Sequence, residues 1–175
     1  GLCYTSGTTG NPTGVEYEHR SQDLHTLTQC MTDSMGLTGT DTVCGIVPMF
    51  HAMGWGIPWS ALMLGCKQVM PHRFMDPARL LDLMAAEKVT LSAGVPTIWQ
   101  GVKGLYEANP DAYDLSALSR LTCGGSSPPP SLIRWFWDEL DVEMIQGWGM
   151  TETSPLATLS RRVMKRSQLA LSEDC

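Results

Sequence analysis

Short apolar runs alternate with helix-patterned stretches along this chain, and that alternation limits the fold more than any single motif does. Residues 42–47, 67–70, 89–92, 118–122 and 142–145 read as buried strands. Helical spacing marks the segments between and before them. Leu24, Leu27, Met31 and Met35 recur at three, four and four residues and predict a helix over 19–35 with those side chains on one apolar face. Residues 55–64 read as helical with Pro58 in the first turns. Asp76 caps a helix that starts at Pro77 and carries Leu80, Leu81, Met84 and Ala85 on one side. Further helices are expected over 96–107, closed by Asn109-Pro110, and over 130–140. A last helical piece is expected from Thr151. Strand-helix alternation of this kind implies an α/β fold, a mostly parallel sheet flanked by helices on both faces. Ser126-Ser127-Pro128-Pro129-Pro130 is too short to divide domains, and no internal repeat is visible.

The segment Tyr4-Thr5-Ser6-Gly7-Thr8-Thr9-Gly10-Asn11-Pro12-Thr13-Gly14-Val15 carries the first chemical signal. An apolar lead-in at 1–4 reads as a strand, and 15–17 as another. Between them, glycines free the backbone to turn its N–H groups into a common hollow, and the Ser and Thr hydroxyls add donors. Such a hollow suits the phosphates of a nucleotide. A flexible Gly/Ser/Thr loop is the plain alternative, but the bounding strand and Pro-x-Gly turn favour a shaped loop. The P-loop spacing is excluded, because no Gly-Lys pair follows Gly7.

Composition, charge, hydropathy and cysteine spacing further bound the function. A hydrophobic content of 43% with 17% charged residues describes a folded domain, and 175 residues allow one. A net charge of −6 gives no basic footprint for nucleic acid. The cluster Arg161-Arg162-Val163-Met164-Lys165-Arg166 reads as a solvated helix face. No stretch is long and apolar enough to span a membrane. Six cysteines stand at 3, 30, 44, 66, 123 and 175, none at metal or redox spacing, and Cys44 lies inside an apolar run. Several read as small core residues, and a reduced, cytoplasmic protein is expected.

Taken together, five segments resemble the AMP-forming adenylating enzymes, a family that includes acyl-CoA synthetases, firefly-type luciferases and peptide-synthetase adenylation domains. The first is the loop above, which the family writes Tyr-Thr-Ser/Thr-Gly-Thr-Thr-Gly-x-Pro-Lys-Gly; Thr13 stands here where the family has lysine. The second is Gln146-Gly147-Trp148-Gly149-Met150-Thr151-Glu152-Thr153-Ser154-Pro155, similar to the adenine and magnesium motif. Pro48-Met49-Phe50-His51 with Trp55 resembles the acyl pocket of the fatty acid–CoA ligase branch. Ala93-Gly94-Val95-Pro96-Thr97-Ile98-Trp99 and Gly124-Gly125-Ser126-Ser127-Pro128 complete the series.

The resemblance implies a two-step reaction: ATP and a fatty acid give an acyl-adenylate, and coenzyme A then takes the acyl group as a thioester. It assigns Thr5, Ser6, Gly7, Thr8, Thr9 and Gly10 to the phosphates, and Gly124, Gly125, Gln146, Gly147 and Trp148 to the adenylate. Thr151 would bond the α-phosphate, Glu152 and Thr5 would hold Mg²⁺, and His51 would face the substrate carboxylate. Trp55 would gate an apolar tunnel. Read without the resemblance, Thr151 caps a helix, while His51, Trp55 and Trp148 are each open to a core role. The resemblance further implies a fragment of the large AMP-binding domain. The flanking amino-terminal part, the ribose-binding Asp segment, the hinge and the small carboxyl-terminal domain would lie outside these residues, so that this piece alone would not turn over. An interior sheet strand at 1–4 fits the same expectation. A homodimer of the parent enzyme is allowed. A degenerate, non-catalytic ATP- or AMP-binding module and an adenylating enzyme with another acyl acceptor stand as alternatives, the first favoured by Thr13.

Overall fold

The computed structural model describes residues 1–5, 10–73 and 75–161. Six strands form the central sheet in the order β4-β3-β5-β6-β7-β8. They are β3 (Thr42–Gly45), β4 (Lys67–Val69), β5 (Leu91–Gly94), β6 (Arg120–Cys123), β7 (Glu143–Gly149) and β8 (Leu156–Ser160). The pairs from β4 to β7 are parallel, and β8 alone runs antiparallel, against β7. Each predicted strand of the alternation is present, shifted by up to four residues at its ends.

The helices are α1 (His19–Cys30), α2 (Ala52–Trp55), α3 (Ile57–Leu64), α4 (Pro77–Glu87), α5 (Pro96–Ala108) and α6 (Pro130–Leu140). Proline occupies the first position of α4, α5 and α6, where its missing N–H leaves no bond unmade. The Asp76 carboxylate accepts from the Arg79 amide at 3.1 Å, as the cap reading requires. Strand alternation sorts the core into two halves. Cys44, Leu121 and Cys123 face the larger cluster with Leu80, Trp99 and Phe136 of α4, α5 and α6. Val43, Leu91 and Ala93 face the smaller one with Met35, Ile57 and Ala61.

Four expectations change. The chain's first strand, β1 (Leu2–Thr5), is not interior to the parallel sheet: it pairs antiparallel with β2 (Thr13–Glu16) in a separate two-stranded sheet. The short connection explains this, since an antiparallel partner needs only a tight loop and a parallel one a long crossover. Helix α1 stops at Cys30, because Met31 turns extended and Gly36 takes a φ of 62°. Its inward face is also the other one. Leu24, Leu27 and Met31 are more than half exposed, and His25, Thr26 and Gln29 are buried. Finally, Thr151 opens only a 3-10 turn, Thr151–Thr153, and the chain continues as β8. The basic cluster at 161–166 falls, from Arg162 on, outside the described residues.

At the amino ends of the strands, Asp41 and Arg120 form a buried pair at 2.5 Å. Asp41 also accepts from the Thr90 hydroxyl at 2.6 Å and the Thr38 amide at 2.8 Å. Arg120 donates to the carbonyls of Met35 and Gly36. This network fixes the loop after α1 to the sheet and leaves the carboxyl ends of the strands free for a site.

Candidate active site

A cavity of about 770 Å³ opens at the carboxyl ends of β6 and β7, between the β1–β2 hairpin, α1 and α2. Thr5, Gly10, Asn11 and Thr13 line it from the hairpin, flanking the loop at 6–9, which lies outside the described residues. Thr151 and Glu152 line it from the far end of the chain. The Tyr17 hydroxyl joins the two sides by donating to the Thr151 carbonyl at 2.5 Å. Tyr17 is itself held by reciprocal backbone bonds with Gly1, at 2.7 and 2.8 Å. Burial, with the nearby Cys3 and Glu152 charges, pushes the Tyr17 phenol up to about 12, so it remains a neutral donor.

Gly124, Gly125, Gly147 and Trp148 form the adjoining wall. Trp148 pairs across to Thr158 of β8 and is 55% exposed, which rules out a role in the core. Gly149 is required by packing: a Cβ there would lie 2.1 Å from the Pro155 carbonyl oxygen. Gln146 differs from its neighbours. Its amide donates to the Ser127 hydroxyl at 3.3 Å, and it is not among the residues lining the cavity.

His51, Ala52 and Trp55 line the opposite side. His51 is exposed, and Trp55 is half-buried with its ring against Gly124, where a Cβ would come within 3.0 Å of it. The backbone of this wall is unusual. Ala52, Met53, Gly54, Trp55 and Gly56 have φ values of 40°, 49°, 63°, 52° and 74°, a left-handed turn that costs L-residues about 1–2 kcal/mol each.

Deeper in, His25, Gln29, Met35, Thr122 and Leu159 also line the cavity. None was legible as a site residue in the sequence. The only signal was the four-residue spacing of His25 and Gln29, which puts them on one helix face. His25 Nε2 and Thr122 Oγ1 are buried without a partner among the described residues. Burial lowers His25 to about 4, so its imidazole is neutral.

Among the described lining residues Glu152 is the one acidic residue, and none is Lys or Arg. A cation beside the carboxylate would offset its repulsion of a bound polyanion. One carboxylate and a hydroxyl suit Mg²⁺, which keeps several waters and takes phosphate oxygens as further ligands. Among the described residues no cluster of three His, Cys, Asp or Glu side chains exists, so a zinc-type cage is not on offer.

A sequence model of the AMP-binding enzyme family matches residues 1–172. The chain is 45% identical to a medium-chain-fatty-acid–CoA ligase of Ectopseudomonas oleovorans over 172 residues, 98% of this chain and 31% of that protein. It is 42% identical to a 3-methylmercaptopropionyl-CoA ligase of Ruegeria pomeroyi over 170 residues, 97% of this chain and 31% of that protein. Among solved structures, a long-chain-fatty-acid-CoA ligase from Archaeoglobus fulgidus superposes with a TM-score of 0.78 at 27% identity, covering 91% of this chain and 33% of that one. The chain thus spans about a third of the length of the curated relatives it matches.

Proposed function

The chain belongs to the AMP-binding enzyme family, and from that premise we propose that the protein carrying it is an AMP-forming fatty acid–CoA ligase, of whose large AMP-binding domain these residues are a part. In this reading the acid's carboxylate oxygen attacks the α-phosphorus of ATP. An O–P bond forms, the bond to the bridging oxygen breaks, and pyrophosphate leaves with the electron pair. The coenzyme A thiolate then attacks the acyl carbon and AMP departs, a step that draws on residues outside this chain.

The convergence of the hairpin and Glu152 on one cavity, tied by the Tyr17–Thr151 bond, carries this reading. Thr5 and the loop at 6–10 offer donors to the β- and γ-phosphates, so that the leaving group is held in line. Glu152 with Thr5 would hold Mg²⁺, which when bound supplies charge neutralisation that no Lys or Arg among the described lining residues provides. Thr151 orients the α-phosphate. Gly124, Gly125 and Gly147 leave room for adenine against the exposed face of Trp148, and Gln146 supports that wall through Ser127. His51 meets the acid's carboxylate, and Trp55 closes the acyl side of the cavity. The relatives are named for medium-chain, long-chain and 3-methylmercaptopropionyl groups, which supports a fatty or related acyl chain and leaves its length to be measured. The five free thiols among the described residues support a reducing, cytoplasmic setting.

Acid-dependent exchange of labelled pyrophosphate into ATP, run on the complete protein with acids of rising length, tests the reading. Exchange that needs both acid and Mg²⁺ supports it, and tight ATP binding with no exchange for any acid overturns it. That second outcome would favour a non-catalytic nucleotide holder, a reading for which Thr13 speaks.

A further inference from the structure

Gln29 has no counterpart in the reaction chemistry, yet its amide is 2% exposed and both of its ends are engaged. Its Nε2 donates to the Trp55 carbonyl at 2.7 Å. Its Oε1 accepts from the hydroxyl of Ser60, a fully buried residue one turn into α3. A buried side-chain amide is costly unless its donor and acceptor are both paired, and the two bonds that satisfy Gln29 also fix the groups they join. The carbonyl it holds belongs to the left-handed turn at Ala52–Gly56, in which three residues with side chains adopt a backbone that L-residues avoid.

Such a turn persists only where its surroundings fix it. Two observations identify the fixing elements. His25, one helical turn before Gln29, abuts the turn's end so closely that a Cβ on Gly56 would lie 2.3 Å from the imidazole. Gln29 then pins the carbonyl of the preceding residue. On the turn's other side lies a second cavity of about 150 Å³, lined by Met49, Gly54, Ile57 and Pro58 among others. Ile57 lines both cavities, so the turn and the start of α3 form the partition between them. The strained wall therefore has open space behind it.

We propose that Gln29 is a positioning residue that sets acyl-chain specificity: by bonding Trp55 and Ser60 it holds the left-handed turn in place, and so fixes how far the Trp55 ring projects into the larger cavity against Gly124. Loss of the amide lets the turn relax toward the smaller cavity, withdraws the ring and lengthens the space for the acyl chain. The inference rests on the reading of the larger cavity as the acyl and adenylate site.

The test uses the complete protein with Gln29→Leu and, as a milder variant that leaves the Trp55 bond intact, Ser60→Ala. Acrylamide quenching assigned to Trp55 by difference, with and without Trp55→Phe, reports the ring's position without any need for activity. Gln29→Leu is expected to raise that quenching constant about twofold. It is also expected to shift the kcat/KM ratio of long over short acids about tenfold toward long, with the KM for ATP unchanged. Ser60→Ala moves both in the same direction and less. Should Gln29→Leu fail to fold, an Ser60→Ala protein with wild-type quenching and wild-type length preference overturns the proposal. Unchanged Trp55 quenching in a folded Gln29→Leu protein overturns it as well, as does an equal loss for all acids and ATP. Altered quenching in a protein whose wild type performs no pyrophosphate exchange upholds the positioning role and overturns the ligase reading instead.

Discussion

The Tyr17 hydroxyl and the Thr151 carbonyl oxygen meet at 2.5 Å although 134 residues separate them in sequence. This bond brings the glycine- and threonine-rich hairpin and the Thr151–Glu152 segment to one cavity, and Tyr17 itself lies outside both motifs. Tyr17→Phe keeps the ring and removes the bond. Leaving a part-buried carbonyl unpaired is expected to cost about 1–2 kcal/mol of stability and to raise the KM for ATP more than the KM for the acid. Chemical denaturation and steady-state kinetics on the complete protein check both effects.

Glu152 is exposed, so its substitution has little to disturb in the fold. Glu152→Gln is expected to lower Mg²⁺-dependent adenylate formation by about 10²–10³-fold, the scale of losing one group that stabilises developing charge. Stability should stay within about 0.5 kcal/mol of wild type. Pyrophosphate exchange measured beside a thermal melt separates the two, and unchanged exchange removes Glu152 from the site.

Thr13 lines the cavity at the position where the family loop has lysine. Thr13→Lys would put a cation beside the phosphates in a lining that, among the described residues, has none. A partly screened contact of about 1 kcal/mol corresponds to a fivefold lower KM for ATP. A KM that does not move places residue 13 beyond reach of the triphosphate.

His25 gives the fold an acid sensitivity with a defined sign. Burial lowers its pKa to about 4, while the unfolded chain titrates near the ordinary value of 6.5. Between those values the unfolded state binds more protons, so stability falls as pH drops from about 6.5 to about 4 and levels off below. The shift amounts to about 3 kcal/mol over that window. Urea midpoints measured across it should show the slope in wild type and a flatter line in His25→Gln.

Asp41 and Arg120 form a buried pair with bonds from Thr38 and Thr90. Asp41→Ala strands the guanidinium and is expected to cost about 3–5 kcal/mol. The pair lies at the end of the sheet away from the cavity, so protein that remains folded should keep its ATP affinity. A melt with an ATP titration reads both.

Much of the architecture was legible in the residues themselves. Apolar runs and helical spacing marked every strand of the parallel sheet and its flanking helices. Proline and aspartate at 76–77 fixed the start of α4 through local backbone chemistry alone. The hollow of the glycine- and threonine-rich loop was suggested by glycine freedom and side-chain donors, which are properties of the chain, whereas the Trp148–Glu152 segment was marked by its resemblance to the adenylating enzymes. Periodicity went wrong at α1. It grouped Leu24, Leu27 and Met31 correctly on one face but could not say whether that face or the His25–Gln29 face would turn inward.

Spacing tells which side chains travel together, whereas the partner they meet is supplied by distant chain. That is why only the folded molecule decided that β1 pairs with β2 outside the main sheet, that Gln29 reaches Trp55, and that Tyr17 reaches Thr151. The left-handed turn at Ala52–Gly56 belongs to the same class. Left alone, Ala52, Met53 and Trp55 would avoid positive φ, and it is packing against His25 and the buried amide of Gln29 that holds them there.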